Sequence, residues 1–297
     1  MPILANTILI LAASAQALAD PPTTEAGSDS SIQLSNSEFR LPPNSRWRDE
    51  RITSAPKLSL SVDLGTEKNV RGSMSLLSRQ LIEVEAISDK DLRLKFVQAD
   101  TTSDIDFGND RSRHTTTLPL DGRTVIAERG ERGRWSAKLD GGRRPTGEES
   151  AALFALSYLW ADSLYPDRKV AIGESWTCEA KDLRNLFGSE FKKPVGEFTF
   201  TLARTVEYEG QECVKITGRG KLRSQTKSLG SNAPGAEEKP LAAELDLSIE
   251  IYRSLELAID LSVSMTGTLE LSNAGDEDAL SYKASSPVEF TRTLKRR

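Results

Sequence analysis

The sequence predicts a mainly β protein, in which one large antiparallel sheet curls around a single amphipathic helix packed on its concave side. Three observations lead to this fold class. Apolar and polar residues alternate with a period of two through most of the chain, one segment has a helical period, and no spacing typical of βαβ units occurs. The 297 residues are 37% hydrophobic and 28% charged, which is typical of a folded protein.

The N-terminus has the pattern of an export signal. An uncharged apolar run over residues 3–19 ends in Ala17-Leu18-Ala19, the small-x-small pattern that precedes signal-peptidase cleavage. The run is too short and too interrupted for a membrane span, which needs about 20 apolar residues. We therefore expect residues 1–19 to be a signal peptide, and the mature protein to be periplasmic or extracellular without a membrane span.

Residues 20–52 are predicted to be a flexible leader, because they are rich in Pro, Ser and charge and show no periodicity. The remaining residues, 53–297, are then a single β-rich domain. Its first half alternates apolar and polar residues over 58–64, 82–86 and 92–96, with polar clusters between these runs as turn signals.

The second half of the domain alternates more strictly, over 245–251 and 257–265 among other runs. On this pattern one face of a single strand is expected to carry Phe198, Phe200, Leu202, Val206 and Tyr208. Such alternation is typical of antiparallel sheet with one solvated face. The whole domain accommodates roughly ten to twelve strands.

Residues 146–165 have apolar positions three and four residues apart and are predicted to form the helix. Thr146 and Glu149 have the spacing of a capping box, and Pro166 prevents continuation. This one helix is about 10 Å across, whereas a flat sheet of about eleven strands is some 50 Å wide. The sheet must therefore curl into a half-barrel or flattened barrel; a sandwich of two smaller sheets is the alternative.

A resemblance agrees with this architecture. After a strand pair, the Asp140-Gly141-Gly142 turn and the helix, residues 170–176 read Val-Ala-Ile-Gly-Glu-Ser-Trp. The order resembles secreted bacterial β-rich proteins of uncharacterised function, in which V-x-V-G-[DE]-x-W opens a strand after a helix. The resemblance covers residues 55–293 and implies no catalytic residues. The general shape is also similar to the half-barrel of periplasmic lipoprotein carriers, an analogy of fold alone.

The composition argues against the common enzyme and metal centres. One histidine, His114, and two cysteines cannot supply the usual zinc ligands, and a catalytic triad would depend on that single imidazole. The Asp-rich segment 104–110 lacks the Gly and Glu positions of a calcium loop and fits a solvated turn. A net charge of −5 gives no electrostatic reason to bind nucleic acid. We expect no enzymatic activity, no metal and no cofactor.

The two cysteines, Cys178 and Cys213, are 35 residues apart in the sequence. In an oxidising compartment they could pair as a disulfide. The alternative is two separate buried thiols in neighbouring strands.

The apolar concave surface is the candidate binding site. If the helix and loops leave it partly unfilled, it forms a cleft for an apolar or lipid-like envelope ligand. The residues expected to line this cleft are Leu156, Trp160, Trp176, Phe198 and Phe200. The alternative is that these side chains pack into a dry core. The protein would then be an envelope structural or interaction protein that docks a partner through a sheet edge or surface patch.

Overall fold

A computed structural model describes residues 31–35, 41–63, 69–107, 110–130, 135–156, 164–183, 192–226, 241–272 and 281–297. The predicted signal peptide, residues 1–19, lies outside these described residues. So does the first part of the predicted leader, residues 20–30.

The described residues form fourteen strands, one α-helix and a 3-10 turn at Ala180–Leu183. The helix, α1, spans Gly147–Ala155. The strands are β1 (Ser31–Gln33), β2 (Arg46–Asp63), β3 (Asn69–Ala86), β4 (Asp91–Asp106), β5 (Arg111–Thr117), β6 (Thr124–Arg129), β7 (Trp135–Leu139), β8 (Lys169–Ala171), β9 (Ser175–Glu179), β10 (Lys192–Tyr208), β11 (Gln211–Thr226), β12 (Leu241–Ser254), β13 (Asp260–Ser272) and β14 (Ser281–Arg296).

Twelve strands form one antiparallel sheet, in the order β7-β6-β4-β3-β2-β14-β13-β12-β11-β10-β9. The twelfth strand, β5, pairs with the second half of β4, beside the part that pairs with β6. The separate β1-β8 pair is the other sheet. The predicted fold class, a large curled antiparallel sheet with one helix, is confirmed, and the sheet does not close into a barrel.

The large sheet carries two clusters of buried side chains at opposite ends of its long strands. We call them the first core and the second core. Strand β2 contributes Leu58 and Leu60 to the first core and Trp47 to the second. Strand β3 likewise contributes Met74 to the first core and Val84 to the second. Strands of 16–18 residues are about 55–60 Å long, which is enough to pass through both cores.

β-Bulges keep the apolar side chains of these long strands on one face. In β4 the extra residue is Val97, so that Phe96 and Ala99 are both buried while Val97 is exposed. In β2 the register shifts between Ala55 and Leu58, which are also both buried. A bulge changes the alternation by one residue and increases the local twist. The sheet can therefore curl without turning its apolar side chains outward.

The bulge in β10 has the opposite effect and corrects one prediction. Leu202 pairs with Ile216 but Arg204 pairs with Lys215, so side chains after the bulge change face. Val206 and Tyr208 therefore lie on the face opposite Phe198 and Phe200, not on the same face as the alternation predicted. On that face the Tyr208 ring stacks on Tyr252, with ring centroids 4.5 Å apart.

The predicted leader, residues 20–52, differs from the structure at its C-terminal end. Strand β2 already begins at Arg46, and Trp47 is buried in the second core. Leu34 and Leu41 are buried as well. The sequence does not indicate a strand at the start of β2, because the inward positions after Trp47 are the charged residues Asp49 and Arg51.

Helix α1 begins where the sequence predicts. Thr146 Oγ1 accepts a hydrogen bond from Glu149 N, and Glu149 Oε2 accepts one from Thr146 N, which completes the capping box. The helix packs Leu153 and Leu156 into the second core. Residues 157–163 lie outside the described residues, and Leu164 and Tyr165, at the predicted end of the helix, are not helical.

Two aromatic rings of β10 lie over glycines of β11. Phe198 pairs with Gly220 and Phe200 pairs with Gly218. A methyl group at Gly218 would lie 2.4 Å from the Phe200 ring. The ring therefore covers a backbone position where even a Cβ atom has no room.

Because of this contact, we expect Gly218→Ala to displace a ring that is itself fully buried. The free energy of unfolding should fall by about 1–3 kcal/mol, the usual cost of overpacking a core. Urea denaturation would measure the loss. In the matched control, Gly147→Ala at the first turn of α1, a Cβ meets nothing within 4 Å, so stability should be unchanged or slightly higher. Equal stability of Gly218→Ala and the wild type would contradict the packing described.

Candidate functional site

Three of the five residues predicted to line an apolar cleft lie together in the first core. Phe200 stacks between Trp176 and Phe198, with ring centroids 5.9 Å and 6.4 Å away. Leu156 belongs to the second core, and Trp160 lies outside the described residues. The three aromatic rings are buried and packed against one another. These side chains therefore fill the interior of the sheet at this point.

Short segments outside the large sheet cover part of the first core. We call residues 31–35 and 164–173 the covering segments; they include the small β1-β8 sheet. They place Leu34, Leu164, Tyr165 and Val170 in the first core. The sheet therefore does not bury its apolar face by closing on itself.

A buried arginine fastens both covering segments to the sheet. Arg253 Nε donates to Leu34 O at 3.0 Å, and Arg253 Nη1 donates to Asp260 Oδ1 at 2.8 Å. Tyr165 Oη donates to the same Asp260 oxygen at 2.7 Å. The Arg253 guanidinium also lies over the Tyr165 ring, 4.1 Å from its centroid. One side chain thus holds residues from both segments against the end of β12.

A second set of polar contacts holds residues 164–174 near β9 and β10. Trp176 Nε1 donates to Leu164 O at 2.9 Å, and Cys178 Sγ donates to the same carbonyl at 3.1 Å. Gly173 N donates to Leu202 O, and Leu202 N donates to Glu174 O. The predicted cleft residue Trp176 therefore also anchors a covering segment.

Polar side chains lie between the two cores, along the middle of the same sheet face. Asp49 is 1% exposed and accepts hydrogen bonds from two arginines. Arg51 donates from Nε and Nη2 at 3.3 and 2.8 Å, and Arg292 donates from Nε at 3.1 Å. Ser78 and Thr101, linked by a 3.0 Å hydrogen bond, continue the polar region on β3 and β4. We call these five residues the polar band.

The charges around Asp49 determine its ionisation. Burial alone would raise the pKa of its carboxyl group, but the attraction of Arg292 and Arg51 and their hydrogen bonds outweigh burial and lower the pKa to about 2. Asp49 is therefore a carboxylate at neutral pH.

The polar band is partly open to solvent on the concave side of β2. The Arg51 side chain is 22% exposed, in contrast to Asp49 beside it. Thr53 and Phe290, which pair across β2 and β14 next to Arg51, are half-buried. Phe290 also packs against the first core. Arg51 is therefore a partly exposed member of the polar band, and Phe290 lies between it and the first core.

A groove of about 710 Å³ lies on the other, outward face of the sheet. One row of outward side chains runs across it, Ser59, Ser285, Glu270, Glu244 and Arg223, each paired with the next. None of the described residues predicted to line the cleft borders this groove, so it is not the predicted cleft.

The two cysteines are free thiols, so of the two alternatives that the sequence left open the disulfide is not formed. Cys178 pairs with Phe198 and Cys213 pairs with Val206, eight residues further along β10. This separation is roughly 26 Å along the strand, far beyond the 7 Å or so that a disulfide spans between Cα atoms. Burial raises the pKa of both thiols to about 11.

Sequence reasoning missed the polar band and Arg253. The signal was present in Arg46–Arg51, where Trp47, Asp49 and Arg51 occupy alternate positions of what the structure shows to be a strand.

In the described part of the chain, no group of three or more His, Cys, Asp or Glu side chains could hold a metal ion. No helix within the described ranges is long and apolar enough to cross a membrane.

The lowered pKa of Asp49 predicts a specific acid dependence of stability. Its contribution is present above its ordinary pKa and is lost as pH falls through the folded-state pKa, a change of about 2 kcal/mol in the free energy of unfolding. Asp49→Asn lacks this titration. The difference in unfolding free energy between wild type and Asp49→Asn should therefore narrow by about that amount between pH 5 and pH 2, as measured by urea denaturation. A constant difference for Asp49→Asn would contradict the ion pairs described.

Removing the guanidinium of Arg253 should loosen the covering segments. Arg253→Met leaves Asp260 without its buried partner, which typically costs about 3–5 kcal/mol. We expect a loss of this size in denaturation, together with faster amide hydrogen exchange in residues 31–35. Arg223→Met is the matched control, since Arg223 is an exposed arginine on β11 and its loss should change stability by less than about 0.5 kcal/mol. Unchanged exchange in Arg253→Met would show that Arg253 does not hold these segments.

Comparisons with known proteins give similarities to a few solved structures. No family model matches the chain, and no curated protein matches it. A structure described as lipid-protein interactions in lipovitellin has a TM-score of 0.46 and 11% identity, covering 87% of this chain and 25% of that chain. This chain thus spans about a quarter of the lipovitellin chain.

Two further structures have lower scores. A LolA superfamily protein from Nitrosomonas europaea has a TM-score of 0.15 and 8% identity, covering 88% of this chain and 90% of its own. The binding domain of botulinum neurotoxin serotype D/C has a TM-score of 0.14 and 8% identity, and the match covers 85% of this chain and 79% of that domain's chain. Similarities at this level carry no inference about the activity of this chain.

Proposed function

We propose that this protein is an exported, non-enzymatic binding protein that takes up an apolar, lipid-like ligand in the first core of its curled sheet. One observation carries the proposal. The apolar face is covered at the first core by short segments outside the large sheet, whereas a protein that needs only a stable core can close its sheet or pack a second one on it. Covering segments of this kind can be replaced by a ligand.

The polar contacts of the covering segments make such replacement energetically reasonable. They are fastened mainly at Arg253, Asp260, Trp176 and the backbone of Leu202. The strands beneath are held by much longer ladders, such as the fourteen residue pairs between β11 and β12. Local opening draws on the parts of a protein that are held by the least packing and hydrogen bonding. The segments can therefore move while the sheet remains intact.

A ligand can restore the apolar packing that opening of the covering segments removes. Burying a leucine-sized side chain contributes about 1.5–3 kcal/mol, and each buried methylene of a ligand about 0.8 kcal/mol. A chain of about ten methylenes thus offsets the exposure of the apolar side chains on one covering segment. A linear hydrocarbon chain is the ligand class that fits.

The proposal predicts binding of a neutral long-chain molecule. Native mass spectrometry of the purified protein should show an adduct in the lipid mass range, or should show one-to-one binding after addition of oleyl alcohol. Denaturing mass spectrometry should release the adduct, since the ligand is held by packing alone. If the protein remains ligand-free in both experiments, it does not bind apolar ligands, and the alternative of docking a partner through a sheet edge is favoured.

A pair of phenylalanine variants gives the matched control. Phe290→Ala removes a ring that packs against the first core and should weaken oleyl alcohol binding several-fold, consistent with the loss of one buried side chain. Phe154→Ala removes a ring on α1 that is 64% exposed and should bind as the wild type does. Equal affinity of all three proteins would contradict a binding site at the first core.

A further inference from the structure

The two covering segments differ in how firmly they are joined to the large sheet. Among the described residues, segment 31–35 makes one hydrogen bond to that sheet, in which Arg253 Nε donates to Leu34 O at 3.0 Å. Its further hydrogen bonds run to the other covering segment, through the three residue pairs of β1 and β8 and from Ser35 Oγ to Asp167 Oδ1. Segment 31–35 is thus attached mainly to its neighbour.

The other covering segment, residues 164–173, has more connections to the large sheet. Four hydrogen bonds join it to that sheet, from Trp176 and Cys178 to Leu164 O, from Tyr165 to Asp260 and from Gly173 to Leu202. The chain also continues from this segment directly into β9, which is a strand of the sheet. Residues 164–173 are therefore fixed both by hydrogen bonds and by the chain itself.

Segment 31–35 nevertheless fills part of the first core. Leu34 is 1% exposed, and Ile32 packs against the same core. Local opening draws on the parts of a protein that have the fewest hydrogen bonds and packing contacts. Of the two covering segments, the weakly attached one is thus the one that can leave, and its departure uncovers the apolar surface around Leu34.

We propose that residues 31–35 are the gate of the apolar site: they lift off the first core, and the hydrocarbon chain of the ligand takes the places of Ile32 and Leu34. Residues 164–173 stay on the sheet. This inference rests on the proposed function, because it names the part of the same site that opens. The apparent affinity for the ligand is then reduced by the fraction of molecules in which the gate is closed.

A reversible disulfide between β1 and β8 tests the gate in the full chain. Gln33 and Lys169 are exposed and directly opposite each other. Opposite residues of an antiparallel pair have Cα atoms about 4.5–5.5 Å apart, which a disulfide can span. The affinity of Gln33→Cys/Lys169→Cys for oleyl alcohol would be measured by isothermal titration calorimetry. We expect the reduced form to bind as the wild type does, and the oxidised form at least about tenfold more weakly.

A second engineered disulfide is the matched control. Thr102 and Thr115 are opposite each other on β4 and β5, with their hydroxyl oxygens 3.2 Å apart. Thr102→Cys/Thr115→Cys joins two strands of the large sheet and should bind oleyl alcohol equally well when oxidised and reduced. The native thiols are buried and ionise little at neutral pH, so the engineered pairs should oxidise first. Counting free thiols in each protein would check this.

A pair of leucine variants tests the gate from the opposite direction. Leu34 and Leu164 are each 1% exposed in the first core, one in each covering segment. Leu34→Ala removes a side chain that keeps the gate closed and should strengthen oleyl alcohol binding several-fold, because the open fraction rises. Leu164→Ala makes the same truncation in the segment that stays and should not strengthen binding. Circular dichroism melting curves would check that both variants are folded at the temperature of the titration.

The outcomes distinguish the gate from the proposed function. Equal affinity of oxidised and reduced Gln33→Cys/Lys169→Cys overturns the gate and leaves the apolar function standing. Equal weakening in the oxidised control, or stronger binding by Leu164→Ala, overturns it as well. If the cysteine variant does not fold, Leu34→Ala decides alone, and an unchanged or lower affinity overturns the gate. If the wild type does not bind oleyl alcohol, the proposed function fails and the gate fails with it.

Discussion

The burial of an oversized apolar sheet face is the constraint on which this structure depends. Twelve strands, several of them 16–18 residues long, present more apolar surface than the nine residues of α1 can cover. The sheet meets this constraint by curling, so that its own strands enclose the side chains of both cores. Where curling is insufficient, the short covering segments complete the burial, and Arg253 is one of the side chains that hold them against the sheet.

Strand length explains why there are two cores and a polar band between them. A strand of about 60 Å is longer than one compact core, so its middle part passes between the two. Polar side chains at that point leave the face open to water near Arg51 while Asp49 ties β2 to β14. The same strand therefore passes through an apolar core at each end and through the polar band at its centre.

The period of two was sufficient to predict the antiparallel sheet, and the comparison of sheet width with helix width was sufficient to predict its curl. Both follow from local alternation and simple geometry. The capping box at Thr146 was visible because its two residues are only three apart. The bulge in β10 was not predictable, since one extra residue changes the face of Val206 without leaving a mark in the composition.

The parts of the candidate site that sequence reasoning missed depend on contacts between distant residues. Asp49 and Arg292 are 243 residues apart and meet only because β14 pairs with β2. Before that pairing is known, charged inward residues in Arg46–Arg51 favour a leader over a strand. The aromatic group of Trp176, Phe198 and Phe200 was easier to find, because large apolar residues in alternating strands converge in a core.

The free thiols of Cys178 and Cys213 have a consequence for how the chain can mature. With a pKa of about 11, roughly one thiol in ten thousand is ionised at neutral pH, so neither attacks oxidants or other cysteines readily. The native state contains no bond that an oxidase or isomerase must make. The same folded structure is therefore available on either side of a redox boundary, and its assembly depends on non-covalent contacts alone.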